Sequence, residues 1–146
     1  MSNEIKEKCG VFGVINVPEA ARHSFFGLYA LQHRGQESAG IASFDGKEII
    51  FHTDMGLVSQ VFHSDGIIQR LAGNSAVGHV RYSTDGSSVI GNSQPYIRKG
   101  LLAMAYNGNS PNPRMLREYG DLRGINSGSE NDTGLLGNAI ECNLER

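Results

Sequence analysis

Charge is scarce in this chain and nearly cancels. Only 19% of its 146 residues are Asp, Glu, Lys or Arg, and the formal net charge at pH 7 is −2. That balance offers no electrostatic footprint for nucleic acid or for an anionic membrane surface. Cysteine is scarcer still: Cys9 and Cys142 are the two thiols. Two thiols so far apart build neither a disulfide framework nor a zinc site with ligand spacing, and the expected compartment is the reducing cytoplasm. The five His are scattered without i,i+4 pairs or nearby Cys, so no metal-ligand constellation is present. No GxxxxGK[ST] run cradles a phosphate. The longest apolar runs fall far short of a membrane span. The opening octapeptide MSNEIKEK is polar, has no apolar core and is not a secretory signal.

What the chain does have is glycine and enough apolar matter for one core. Hydrophobic residues make up 39% and glycines number 19, clustered in short turn-like places. The length suits one domain. Cys9 to Val17 alternates β-branched and aromatic residues and reads as a strand. Phe25, Leu28, Tyr29 and Leu31 recur at helical spacing within Glu19 to Leu31, with Gly35 as a stop signal. Ala39 to Phe44 and Glu48 to His52 flank Asp45-Gly46, a hairpin signature. Short helices are expected at Leu57 to Phe62 and Gly66 to Leu71, then a strand from Ala76 to Tyr82 and a Gly/Ser-rich loop from Ser83 to Asn92. Tyr96 to Arg98 and Leu101 to Tyr106 form a second hairpin around Lys99-Gly100. Pro113 to Tyr119 suits a helix capped by Asn112. A loop from Gly124 to Glu130 precedes a last helix, Asp132 to Leu144, with Asp132 a candidate cap. Antiparallel hairpins with helices before, between and after them point to an α+β fold and not to a doubly wound parallel sheet.

Several residues could carry chemistry. By position alone Cys9 reads first as a small apolar residue filling the end of a strand. Cut between Lys8 and Cys9, however, the chain would carry a thiol and an α-amine on one residue. Such an amine, with a pKa of about 7.7–8.0, can serve as a base near neutral pH. Asn107-Gly108 is an ordinary turn dipeptide, yet an Asn amide beside a Gly N–H can also face a developing oxyanion. In Gly78-His79-Val80-Arg81-Tyr82-Ser83-Thr84, a strand-end Arg followed by hydroxyls can clamp a carboxylate. Asp132 can cap a helix or meet a substrate ammonium, and the two roles are compatible. His33, in the polar run from Leu31 to Gly40, reads as structural.

Together these segments resemble one family. CGVFG from Cys9, LQHRGQESAGI from Leu31, GHVRYST from Gly78, NSQP from Asn92 and NGN from Asn107 stand in the order of the N-terminal-nucleophile glutamine amidotransferases. Among these they are similar to the amidophosphoribosyltransferase family of purine synthesis. The resemblance runs from about Cys9 to the end of the chain, and residues 1–8 resemble a propeptide. It implies a sandwich of two antiparallel sheets flanked by helices, cut short at its C-terminal side, over residues 9–146. It also implies that Cys9 attacks the carboxamide of glutamine while its freed α-amine shuttles protons, with Asn107 and Gly108 as the oxyanion hole. By the same resemblance Arg81 and Thr84 hold the substrate carboxylate, Asp132 holds its ammonium, and Arg34 and Gly35 shape the pocket. Ammonia would pass to phosphoribosyl pyrophosphate in a second domain, to which Mg and any iron–sulfur cluster would belong. No cofactor is expected in this chain, and the assembly is expected to be a homo-oligomer. The chain departs from the family pattern in several places: Tyr106 stands where His is usual, Gly134 where Glu is usual, Asn126 to Asn131 differs in spacing, and Ser110 to Pro113 is interrupted by Pro.

Two other readings accompany this one. A truncated homologue could bind glutamine or a partner chain without turnover. Another member of the same nucleophile class, such as a glucosamine-6-phosphate or asparagine synthase, fits less well with HVRYST and the propeptide-like leader.

Overall fold

A computed structural model describes residues 8–82, 90–98, 100–125 and 131–144. Strand β1 spans Gly10–Val14, helix α1 Ala20–Ala30, β2 Ser38–Phe44 and β3 Ile49–Met55. Two short helices follow, α2 at Val58–Val61 and α3 at Asp65–Arg70, then β4 at Ser75–Arg81. Beyond it lie β5 at Tyr96–Arg98, β6 at Leu102–Met104, α4 at Pro113–Asp121 and α5 at Asp132–Leu144. Every expected strand and helix is present, but β1 ends at Val14 and not Val17, and β6 covers Leu102–Met104 and not Leu101 to Tyr106. Most of the expected loops Ser83 to Asn92 and Gly124 to Glu130, with Thr84 and Lys99, lies outside the described residues. The end of the first of these loops, Ile90–Asn92, is a 3₁₀ turn.

Local chemistry explains the element ends. Asp45 Oδ1 accepts the Lys47 and Glu48 N–H groups at 2.8 and 2.9 Å, and Gly46 takes φ +99°, which closes the β2–β3 hairpin. Asn112 Oδ1 accepts the Met115 N–H at 3.1 Å and caps α4, with Pro113 in its first turn. At α5 the cap is Asn131, whose Oδ1 accepts the Gly134 N–H at 2.8 Å. That corrects the assignment of the cap to Asp132. Asp132 is already helical, and its carboxylate is turned to the Ser110 N–H at 2.7 Å.

The strands form two antiparallel sheets. The larger has the order β1-β4-β2-β3, with β4 paired to both β1 and β2, and the smaller is the β5–β6 hairpin. Helix α1 crosses β1, β4 and β2, while α2 packs on β2. Ala39, Ile41, Ala76 and Val80 point to these helices and meet Leu28, Val58 and Val61 in the core. Leu28, Ile41 and Val58 are fully buried, each contributing about 1.5–3 kcal/mol by leaving water. Gly27 lets α1 lie directly on the Phe12 ring, because a methyl there would overlap it. The β5–β6 hairpin lies over the opposite face. Gly40 carries no side chain where the Gln94 carbonyl and the Pro95 ring press on β2. Helix α5 backs the hairpin and α4 packs on α5. The layers run helix, sheet, sheet, helix, which is the sandwich the motifs implied. The hairpin covers only part of the sheet: Val11, Phe44 and Phe51 remain exposed.

Candidate active site

The end of β4, the start of β1 and the segment after β6 converge. Cys9 stands one residue before β1, half-buried, with φ +59°. Its N–H donates to the Arg34 carbonyl at 2.8 Å. Its own carbonyl accepts Arg34 Nε at 2.7 Å and Asn107 Nδ2 at 3.3 Å. The sulfur accepts the Tyr82 N–H at 3.4 Å and lies 3.7 Å from the Tyr82 carbonyl, to which the thiol can donate. Backbone and side-chain bonds thus fix this residue on three sides. A φ in the left-handed region is strained for a residue with a β-carbon, and such strain persists where surrounding bonds over-determine it.

Arg34 is set by the 3₁₀ turn Gln32–Arg34 that follows α1. Gln32 holds that turn from both ends of its amide: Nε2 donates to the Gly35 carbonyl, and Oε1 accepts the Val58 N–H at 2.7 Å. Gly35 is buried against β4, where a methyl would come within 2.7 Å of the Val80 oxygen and the Arg81 carbonyl carbon. Only glycine lets the turn approach that closely.

Arg81 closes β4, and its guanidinium forms an ion pair with the Glu37 carboxylate. Both side chains are nearly buried, 13% and 12% exposed, and the second oxygen of Glu37 has no hydrogen-bond partner in the described structure. A guanidinium has five N–H donors, so one carboxylate does not exhaust it. The next residue, Tyr82, supplies the backbone against the Cys9 sulfur, which places Arg81 beside the thiol along the chain.

Asn107 and Gly108 follow β6 and are exposed. The Asn107 amide has two N–H donors, one of which is engaged by the Cys9 carbonyl. The Tyr106 ring folds back over Gly108, so that a methyl on Gly108 would lie 2.8 Å from the phenolic oxygen. The Asp132 carboxylate makes its hydrogen bond to backbone and not to the Cys9 cluster itself. Its link to the site is the Ser110 N–H, three residues beyond Asn107. Thr84 lies outside the described residues.

Residues to which the sequence assigned no role surround this cluster. Glu37, inside the run LQHRGQESAGI, holds Arg81. His79, two residues before Arg81, is fully buried and faces the second sheet, paired in register with Val11 and Gly40. Burial pushes its pKa down to about 4 and the positive charge of Arg81 acts in the same direction, while the nearby Tyr106 backbone partly opposes them. Neither ring nitrogen makes a hydrogen bond of ordinary geometry in the described structure. Among the described residues, no group of three His, Cys, Asp or Glu side chains could hold a metal ion. No described helix is long and apolar enough to cross a membrane.

No family model matches the chain. Curated proteins do. It is 56% identical over 117 residues to the amidophosphoribosyltransferase of Synechococcus elongatus, a match covering 77% of this chain and 24% of that protein. It is 43% identical over 140 residues to the enzyme of the same name from Methanothermobacter thermautotrophicus, covering 92% of this chain and 29% of the relative. Solved structures share its fold as well. One is described as the allosteric regulatory enzyme of purine biosynthesis, with TM-score 0.80 and 37% identity over 90% of this chain and 29% of that one. Another is the glutamine phosphoribosylpyrophosphate amidotransferase of B. subtilis complexed with ADP and GMP, with TM-score 0.77, 36% identity and the same coverage. The chain spans about a quarter of the length of the curated relatives it matches. In sequence and in fold alike, the chain belongs to the amidophosphoribosyltransferase family and corresponds to its glutamine amidotransferase part.

Proposed function

We propose that this chain hydrolyses glutamine to glutamate and ammonia through a thioester on Cys9. The observation that carries the reading is the convergence on Cys9 of Arg34, Asn107 and the end of β4, in a chain of this family. Residues 1–8 are a leader whose removal frees the α-amine of Cys9. The nitrogen then sits against the Arg34 carbonyl, which already accepts its N–H. That carbonyl can orient the amine and its lone pair toward the thiol.

The amine takes the thiol proton, and the sulfur attacks the carboxamide carbon of glutamine. A C–S bond forms and the carbonyl pair moves onto oxygen. The second Asn107 N–H and the Gly108 N–H receive that oxyanion. Collapse breaks the C–N bond, and the leaving nitrogen takes the proton from the α-ammonium to depart as ammonia. Water, deprotonated by the same amine, adds to the thioester, and the C–S bond breaks to release glutamate and restore the thiol. Arg81, held by Glu37, receives the substrate α-carboxylate with Thr84, and Asp132 receives the α-ammonium. Arg34 and Gly35 form the wall beside the sulfur.

In the whole protein of which such a unit is part, the ammonia displaces pyrophosphate from phosphoribosyl pyrophosphate to give 5-phosphoribosylamine. That step, with Mg and any iron–sulfur cluster, belongs to sequence outside this match. The cytoplasm is its proposed location. A homo-oligomeric assembly is part of the same proposal. Glutamate release by the chain beginning at Cys9 tests the hydrolysis directly.

A further inference from the structure

Gln94 lies in NSQP, the one resembling segment to which no role has been given. Its side-chain amide makes two hydrogen bonds to a single residue. Oε1 accepts the Tyr106 N–H at 2.7 Å, and Nε2 donates to the Tyr106 carbonyl at 3.1 Å. This is how one strand pairs with another, with a side chain standing in for a backbone. The substitution occurs where the ladder ends: β6 stops at Met104, and the β5–β6 register closes at Tyr96 with Met104. Tyr106 immediately precedes Asn107 and Gly108.

Gln94 is itself held. Its carbonyl presses on Gly40 of β2, and Asn92 two residues earlier accepts Asn131 Nδ2 at 3.2 Å, at the cap of α5. Beneath the same Tyr106 backbone lies the buried ring of His79. Tyr106 is therefore gripped by one side chain and rests on another, while Asn107 and Gly108 are exposed.

We propose that Gln94 is a positioning residue: its amide clamps the Tyr106 backbone and so sets Asn107 and Gly108 against Cys9. The inference rests on the glutaminase reading of the site. Gln94 touches neither thiol nor substrate and acts only through the segment it holds. Misplacing an oxyanion donor by about an ångström lowers turnover roughly a hundredfold, whereas substrate affinity depends on groups elsewhere.

The test uses the whole chain processed to begin at Cys9 and its Gln94→Leu and Gln94→Glu variants. Leu keeps the volume and abolishes both bonds. Glu keeps the acceptor for the Tyr106 N–H and sets an oxygen against the Tyr106 carbonyl. Two quantities are read: amide hydrogen exchange at Tyr106 with Val80 as an internal reference, and kcat and KM for glutamine hydrolysis. The expected result is Tyr106 exchange at least about tenfold faster in Gln94→Leu with Val80 unchanged, and kcat lowered roughly tenfold to a hundredfold in both variants with KM within about threefold. Unchanged Tyr106 exchange in Gln94→Leu overturns the clamp. Equal loss in kcat and KM, or loss of Val80 protection in both variants, overturns the positioning role in favour of a general structural one. If the unsubstituted processed chain releases no glutamate, the glutaminase reading fails, and the exchange measurement still decides whether Gln94 holds this segment.

Discussion

Asn107 Nδ2 donates to the Cys9 carbonyl at 3.3 Å, joining two residues 98 positions apart in the sequence. The bond brings the candidate oxyanion donor to the same residue as the candidate nucleophile, and Arg34 Nε shares that carbonyl at 2.7 Å. The bond joins the residue before β1 of the larger sheet to the segment that follows β6 of the smaller one.

The proposed base exists only after cleavage between Lys8 and Cys9. Catalytically active protein is therefore expected to begin at Cys9, and intact mass or N-terminal sequencing of an active sample reads this directly. An active sample that retains Met1 or Ser2 rules out the α-amine mechanism.

The two thiols differ in access. Cys142 is 6% exposed inside α5, whereas Cys9 is half-buried at the convergence of three segments. A glutamine-analogue electrophile should label Cys9 and spare Cys142, as peptide mapping of the adduct will show. Equal labelling of both means that no activated site exists.

Arg81→Ala removes one member of a nearly buried ion pair and leaves the Glu37 carboxylate without its cation. A loss of about 3 kcal/mol in folding stability is expected by urea titration. Glutamine affinity should also fall by about 2–5 kcal/mol in a Cys9→Ala background, measured by calorimetry. Unaltered affinity removes Arg81 from the glutamine site.

Gly35→Ala forces a methyl against the backbone of β4 at 2.7 Å. Backbone cannot swing aside as a side chain can. A destabilisation of about 1–3 kcal/mol is expected, with turnover reduced because the strained turn carries Arg34. Wild-type stability in the variant contradicts the close approach described for this turn.

His79 gives the chain a definite acid sensitivity. Its folded pKa, about 4, lies below the ordinary 6.5, so between these values the unfolded chain binds more protons than the folded one. Its stability contribution is intact above pH 6.5 and is lost as the pH falls toward 4, by about 3 kcal/mol in total. In His79→Gln, urea titrations across that range should show a correspondingly shallower loss. An identical pH slope in the variant removes His79 as its source.

Much of this was legible from local signals. Asp45-Gly46 marked a hairpin because few dipeptides accept its dihedrals, and Asn112-Pro113 marked a helix start because both residues suit it chemically. The cap of α5 was misassigned by one residue, since Asn131 and Asp132 are both competent caps and only the fold shows that Ser110 claims the second. The Cys9–Asn107 meeting followed from family likeness, not from spacing. The pairing of Glu37 with Arg81, 44 positions away, left no local pattern, because charge partners across a sheet depend on register. Strand alternation turns His79 to the face of Val77 and Arg81, yet whether a second sheet buries it is a tertiary fact. The Gln94 amide imitates backbone pairing, which no periodicity records.

The most direct measurement is glutamate release from glutamine by the chain cut to begin at Cys9, with Cys9→Ala as the paired control. Stoichiometric ammonia and glutamate from the first, and none from the second, is the expected result. No release from the folded, processed chain, or equal release from the Cys9→Ala control, contradicts a thiol-dependent glutaminase at this site.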